Sequence, residues 1–268
     1  MATGRVKFEE PQAPRSAGLA RATAFFALVL GITAVVAHRW FSLETEAFLW
    51  VLGLVPLLAA LALLLAGLAF SRIWRLGGEG GRSVLAAFLL GAFVLIPYGM
   101  AVYNFLTLPM LTDVTTDLED PPSMPLAAAD RTGAMSRVAE PTLGSALLQL
   151  NAYPDMTGRR YELPIEKTLE MVDGLIKRKG WKTRSRVPAA VPGQPLTLEA
   201  TARTLILALP ADVAIRVTDD GEATYVDMRS ASRYGRHDLG DNAARIASFL
   251  ADLDQDVAIH TGTADPQD

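Results

Sequence analysis

Three uninterrupted apolar runs constrain this chain more than any other feature. Ala22 to Ala37, Ala47 to Phe70 and Val84 to Leu106 contain no Asp, Glu, Lys or Arg. Runs with no polar face belong in lipid, as helices that satisfy every backbone N–H and C=O internally. The second and third have 24 and 23 residues, about 36 and 35 Å of helix, enough to cross a hydrocarbon core about 30 Å thick. The first has 16 and becomes long enough once Leu19 and Ala20 are added and Arg21 snorkels to the headgroups. A cleavable signal peptide ending near Val35 and Ala37 is the alternative for that run.

The basic residues between the runs fall on one side. Arg5, Lys7, Arg15 and Arg21 precede the first span, and Arg72, Arg75 and Arg82 lie between the second and third, whereas Arg39 alone lies between the first and second. Segments two crossings apart share a side, so the positive-inside rule puts the amino terminus in the cytoplasm and the carboxy-terminal part outside, in the periplasm of a bacterial inner membrane. The spans themselves carry no ionisable group, so they read as an anchor or packing surface and not as a conduction path. Pro97-Tyr98-Gly99 is expected to kink the third helix, and Ala62/Ala66 and Ala87/Gly91 have the small-xxx-small spacing of close helix contacts. Gly77 to Ser83 fails as a phosphate-binding loop: the first glycine is missing, Arg82 replaces the lysine, and a span precedes it in place of a strand. It reads as a cytoplasmic turn.

Residues 111–268 carry seventeen Lys/Arg against twenty-four Asp/Glu, a balance of −7, which gives no reason to expect nucleic acid as a partner. Cysteine is absent and the three histidines, His38, His237 and His260, are scattered. No disulfide or thiolate chemistry is available, and neither a metal nor a cofactor is expected. The organisation expected is a membrane domain over 1–110 with spans 22–37, 47–70 and 84–106, a proline-rich connector over 111–160 that lies along the domain, a folded domain over 161–256, and a tail over 257–268.

Within the folded domain, Ile165, Leu169, Val172, Leu175 and Ile176 recur at helical spacing, with Pro164 at the start and Gly180 after the end, so a helix is expected over about 165–179. Strands are expected over 181–187 and 196–209, separated by Pro188, Pro192 and Pro195. Asp212 to Val217 and Thr224 to Ser230 form a hairpin about Asp220-Gly221. In that register Val213, Ile215 and Val217 face Met228, Val226 and Thr224, Arg216 faces Tyr225 with Asp227 diagonal, and Asp212 faces Arg229. The charged side reads as a solvated salt-bridge ladder. A last helix runs from about Leu239 to Leu253 on Ile246, Phe249, Leu250 and Leu253, with Asp238 as N-cap and Asp241 completing an approximate capping box. The fold class expected is a three-helix membrane anchor followed by an α+β domain, an antiparallel sheet with two helices on one face.

The most distinctive run is Arg229-Ser230-Ala231-Ser232-Arg233-Tyr234-Gly235-Arg236-His237-Asp238-Leu239-Gly240-Asp241-Asn242. Together with Asp212 to Val217, Tyr225 to Arg229 and Tyr153-Pro154-Asp155, it resembles the family catalogued as domain of unknown function 1499, over about residues 113–253. The resemblance implies bacterial and plastid relatives that are often membrane-associated, and no established reaction. Read from its residues, the loop brings Arg229, Ser230, Ser232, Arg233 and Arg236 to a helix amino terminus, a natural place for an anion or a partner. Asp238 and Asp241 also sit there and can pair with Arg229, Arg233 or Arg236, so Asp212, Arg216, Asp227, Asp238 and Asp241 form the alternative, a structural clasp. Catalysis by Ser230 or Ser232 with His237 and Asp238 lacks a nucleophile elbow and a plausible alignment of base and orienter.

The residues support two functions. The first is a non-enzymatic envelope protein whose outward domain binds membrane lipid or another envelope protein. The alternative is a hydrolase or transferase acting on envelope lipid or glycan through the Arg/Ser loop.

Overall fold

The computed structural model describes residues 14–138, 140–187 and 195–263. Arg5 and Lys7, and Pro188 and Pro192 between two expected strands, lie outside the described residues. The chain divides into two compact units between Val102 and Tyr103.

Three helices fill the first part of the chain: α1 (Arg15–Trp40), α2 (Thr45–Leu76) and α3 (Gly81–Thr107), each long and apolar enough to cross a membrane. Lipid tails are as apolar as leucine, so burying large side chains between helices gains little, and small residues that let backbones approach are favoured instead. The buried positions follow this rule. Ala17, Ala20, Ala24 and Ala27 of α1 and Ala59, Ala62, Ala66 and Ala69 of α2 are fully enclosed, while Phe25, Phe26, Leu57 and Leu64 point outward. Ala87 and Gly91 of α3 are buried as well, and a Cβ on Gly91 would come within 2.9 Å of Leu63 Cδ2. Pro56 lies inside α2, where its missing N–H frees the carbonyl of Leu52 four residues earlier. Tyr98 of α3 donates its hydroxyl to that carbonyl at 2.8 Å.

Beyond α3 comes an antiparallel sheet in the order β1-β6-β5-β4-β3, with β2 also paired to β6. The strands are β1 (Asp113–Thr115), β2 (Arg159–Tyr161), β3 (Lys182–Val187), β4 (Leu196–Arg203), β5 (Pro210–Asp219) and β6 (Thr224–Ser232). One sheet face carries Leu198, Ala200, Val213, Ile215, Val217, Val226 and Met228. It packs on Val172, Leu175 and Ile176 of α6 (Ile165–Arg178) and on Ile246, Phe249, Leu250 and Leu253 of α7 (Asp241–Thr261). This is the expected antiparallel sheet with two helices on one face.

Several details differ from the sequence reading. The stretch 111–160 is more than a connector: it supplies β1, β2 and two short helices, α4 (Pro125–Asp130) and α5 (Leu143–Ala152). β1 pairs with β6 at Arg229–Ala231 and β2 pairs with it at Thr224–Val226, so two short strands share one edge of β6. The fourth strand stops at Arg203, not Leu209. Thr204 N donates to Leu209 O and Thr204 Oγ1 accepts from Leu209 N, which closes a turn in which Ala208 has φ +53°. The β5–β6 hairpin is two residues out of the expected register, with Asp219 opposite Thr224 and Val217 opposite Val226. The loop is the longer Asp220–Ala223 because Asp220 Oδ1 accepts the N–H of both Glu222 and Ala223 (3.0 and 2.8 Å), a local bond that competes with a tight two-residue turn. A shift of two keeps every side chain on its expected face. Finally, α7 runs on to Thr261, ending at Gly262 in the left-handed conformation, so part of the expected tail is helix.

Candidate functional site: the charged sheet face and the strand-to-helix loop

On β6 the residues alternate sides, so Arg229 points away from α6 and α7 while Ser230 and Ser232 point toward α7. Parity alone therefore separates the Arg/Ser run into two sites.

The face with Arg229 is not the solvated ladder expected. Asp212, Glu199 and Arg229 are each about 1% exposed, because the segment carrying α4 folds over them, with Met124 and Ala127 packed on Ala214 and Ala231. Burying charge requires paired, hydrogen-bonded partners, and each group has them. Arg229 grips Asp113 of β1 through Nε to Oδ1 (3.0 Å) and Nη2 to Oδ2 (2.9 Å). Burial pushes the Asp113 carboxyl above the ordinary carboxylate range even though the guanidinium pulls the other way. Asp212 accepts from two guanidinium groups. Arg131 donates to its Oδ2 through Nε and Nη2 (3.0 and 2.9 Å), and Arg233 to its Oδ1 through Nη2 (2.6 Å). Arg131 also donates to the carbonyls of Ser136, Ser232 and Ala231. Glu199 uses both oxygens to accept the N–H groups of Leu126 and Ala127 at the start of α4 (3.0 and 2.8 Å).

Arg216 is directly opposite Asp227, not diagonal to it. Its guanidinium reaches Asp227 (3.0 Å), Asp117 (2.7 Å) and Asp120 (2.7 Å). Burial disfavours the charge on Asp117, but the N–H groups of Asp120 and Glu119 and the Arg216 guanidinium outweigh it and hold that carboxyl below its usual range. Asp227 Oδ1 accepts from Thr116 Oγ1 at 3.0 Å. A side chain at Gly158 would collide with this carboxylate, so the glycine there makes room for the ion cluster.

The face with the serines forms a second network at the start of α7. Asp238 accepts the N–H of Gly240 and of Asn242 (both 3.0 Å), which satisfies free donors of the helix end as an N-cap would. The cap position itself is Gly240, at φ +84° with Leu108 Cδ1 2.7 Å from where a Cβ would stand, so any side chain there strains the backbone and must push the Leu108 methyl aside. Asp241 pairs with Arg245 one turn on and forms no capping box. Neither Asp238 nor Asp241 pairs with Arg229, Arg233 or Arg236. The first two arginines are held by Asp113 and Asp212, and Arg236 is exposed with no ion pair among the described residues.

Buried Asn242 ties the network together. Ser230 Oγ donates to its Oδ1 (2.8 Å), and its Nδ2 donates to Thr112 O and Ser232 Oγ (both 3.0 Å). His237 accepts the N–H of Leu239 on Nδ1 (2.9 Å), so its Nε2 carries the proton donated to Leu108 O (3.2 Å). With both nitrogens engaged, His237 faces neither serine as a base. Among the described residues no group of three His, Asp or Glu has the arrangement of a metal site.

Sequence reasoning missed Asp113, Arg131, Glu199 and Asn242. The first two lie in the stretch read as connector. Glu199 breaks the apolar run of its strand, a signal that was present but has no address without the fold. No curated protein matches the chain. A family profile described as a protein of unknown function, DUF1499, matches residues 113–253, the span from the aspartate that grips Arg229 to the last core leucine of α7. This multi-pass, membrane-anchored chain belongs to the DUF1499 family.

Proposed function

We propose that this is a bacterial inner-membrane protein that holds its DUF1499 domain on the periplasmic side, where the domain binds an anionic lipid or another envelope protein without catalysing a reaction. The observation that carries the reading is the charge bias around the spans, seven basic residues in the segments on one side against one on the other, which fixes orientation during insertion. The absence of catalysis is supported by the engagement of Ser230 and Ser232 with Asn242 and of both His237 nitrogens with backbone groups. Binding is supported by the density of arginine on the charged sheet face.

Protease added to spheroplasts should digest a tag fused after Asp268, and the same tag should survive in inside-out vesicles. The reverse pattern overturns the orientation. A photo-crosslinker at Tyr234 in intact cells is then expected to capture lipid or an envelope protein. Capture of cytosolic proteins only counts against the reading.

A further inference from the structure

We infer that the charged sheet face holds a binding site for a phosphate-bearing organic anion, in the cavity where Arg184, Arg233, Lys182 and Arg203 surround Thr201. The inference rests on the reading of that face as a ligand-binding surface and names the site and the chemistry.

The cavity has a volume of about 520 Å³, and its lining sets four cations, Lys182, Arg184, Arg203 and Arg233, against one carboxylate, Asp130. That local excess of positive charge occurs in a part of the chain whose overall balance is −7. Its cations also converge. Arg184 Nε and Arg233 Nη2 donate to the same oxygen, Thr201 Oγ1, at 3.1 and 2.9 Å, so two guanidinium groups converge on one hydroxyl whose own O–H remains a donor. Arg233 pairs with Asp212 behind it, a carboxylate that it shares with Arg131. Arg184 is neutralised by Asp130 at 2.7 Å, but that carboxylate's side chain is 64% exposed, which makes it a counterion that an incoming anion can displace.

Arg184 Nη1 is the one buried side-chain nitrogen or oxygen, among the described residues, with no hydrogen-bond partner. Leaving a buried charged donor unpaired is costly and calls for a partner, which an anion entering this cavity would supply. Lys182 and Arg203 are exposed with no acidic partner among the described residues. Planar guanidinium forks match phosphate oxygens, and several cations around a hydroxyl donor suit a dianion better than a single carboxylate. The volume exceeds that of phosphate alone and lies in the range of small-molecule sites. Leu126 supplies an apolar wall for the organic part. The phosphate can come from a lipid headgroup or from a soluble phosphomonoester.

The test uses the full chain in phosphatidylcholine bilayer discs, titrated calorimetrically with inorganic phosphate and, separately, with discs containing phosphatidic acid. Saturable binding in either arm supports the site. Tighter binding in the lipid arm assigns the source to a headgroup, and equal binding assigns it to a soluble phosphate. R184Q should abolish binding. Because Arg184 also braces Asp130 and Thr201, the exposed pair K182Q/R203Q serves as the variant that leaves the fold intact and should weaken binding at least about tenfold. D130N should tighten it by removing the competing carboxylate. No saturable binding in either arm, or affinities unchanged in K182Q/R203Q and D130N, overturns the inference. Neither result depends on the tag and crosslinking outcomes above, so the site and the periplasmic reading can fail separately.

Discussion

Arg229 shows how one side chain can organise a face of a domain. Its guanidinium lies under the α4 segment and is held by Asp113 from a strand 116 residues away in sequence. Removing one partner of a buried pair leaves an uncompensated charge, so Asp113→Ala should destabilise the domain by about 3–5 kcal/mol. Replacing both partners with apolar residues, Asp113→Leu with Arg229→Met, should cost less than either single change, because neither charge of the pair is then left buried without the other. Chemical denaturation of the single and double variants checks this, and an additive double variant would count against it. Asp117 carries a pH prediction. Its carboxyl is held below the usual range in the folded chain, so the stability it supplies is present above the unfolded value of about 3.9 and is lost as pH falls through the lower folded value. Asp117→Asn should flatten the acid limb of a thermal-melt series. Superimposable acid limbs would show that the Arg216 cluster does not use this carboxylate.

Individual elements depend on single compensations of the same kind. Pro56 would leave Leu52 O without a donor inside α2, and Tyr98 of α3 provides it. Tyr98→Phe should lower the stability of the helical unit by about 0.6–2 kcal/mol, the scale of a hydrogen bond between helices in lipid. Adding Pro56→Ala should restore it, since the N–H at position 56 then serves the same carbonyl. Unfolding in mixed micelles measures both changes. At the other end of the chain, α7 starts on a left-handed Gly240 crowded by Leu108. Gly240→Ala should shift the melting temperature of the domain downward, through strained backbone and a clash together, while Gly262→Ala at the far end, where a Cβ meets no atom within 4 Å, should cost only the backbone term.

Over the whole molecule, the segment between α3 and β2 decides whether the second unit exists. It supplies β1 to the edge of β6 and α4 to the charged face. A soluble form beginning near Tyr103 should therefore unfold cooperatively, whereas one beginning at Gly158 should expose Arg229 and Asp212 and lose protection of β6 amides in hydrogen exchange. Equal protection in the two forms would mean that β1 and α4 merely decorate a domain complete without them.

The sequence by itself determined the elements whose signal is local. Charge-free runs of 23 and 24 residues specify spans because lipid leaves no other option. The period of Val172, Leu175 and Ile176 specifies α6, and the alternation through Val213, Ile215 and Val217 specifies which face of β5 meets the core. Even the hairpin slipped by two residues kept its faces, since the strand period is two. Tertiary structure alone decided what lies on the other face. Read as one loop, Arg229 and Ser230 belong to a single site; β6 carries both as a strand and so parts them, and only the fold brings Asp113, 116 positions earlier, onto the arginine and lets Arg131 and Arg233 share Asp212. An ion pair carries no periodicity and reaches only a few ångströms, so its partner is fixed when the chain returns on itself, and a proline-punctuated stretch gives no local sign that it will return as a strand.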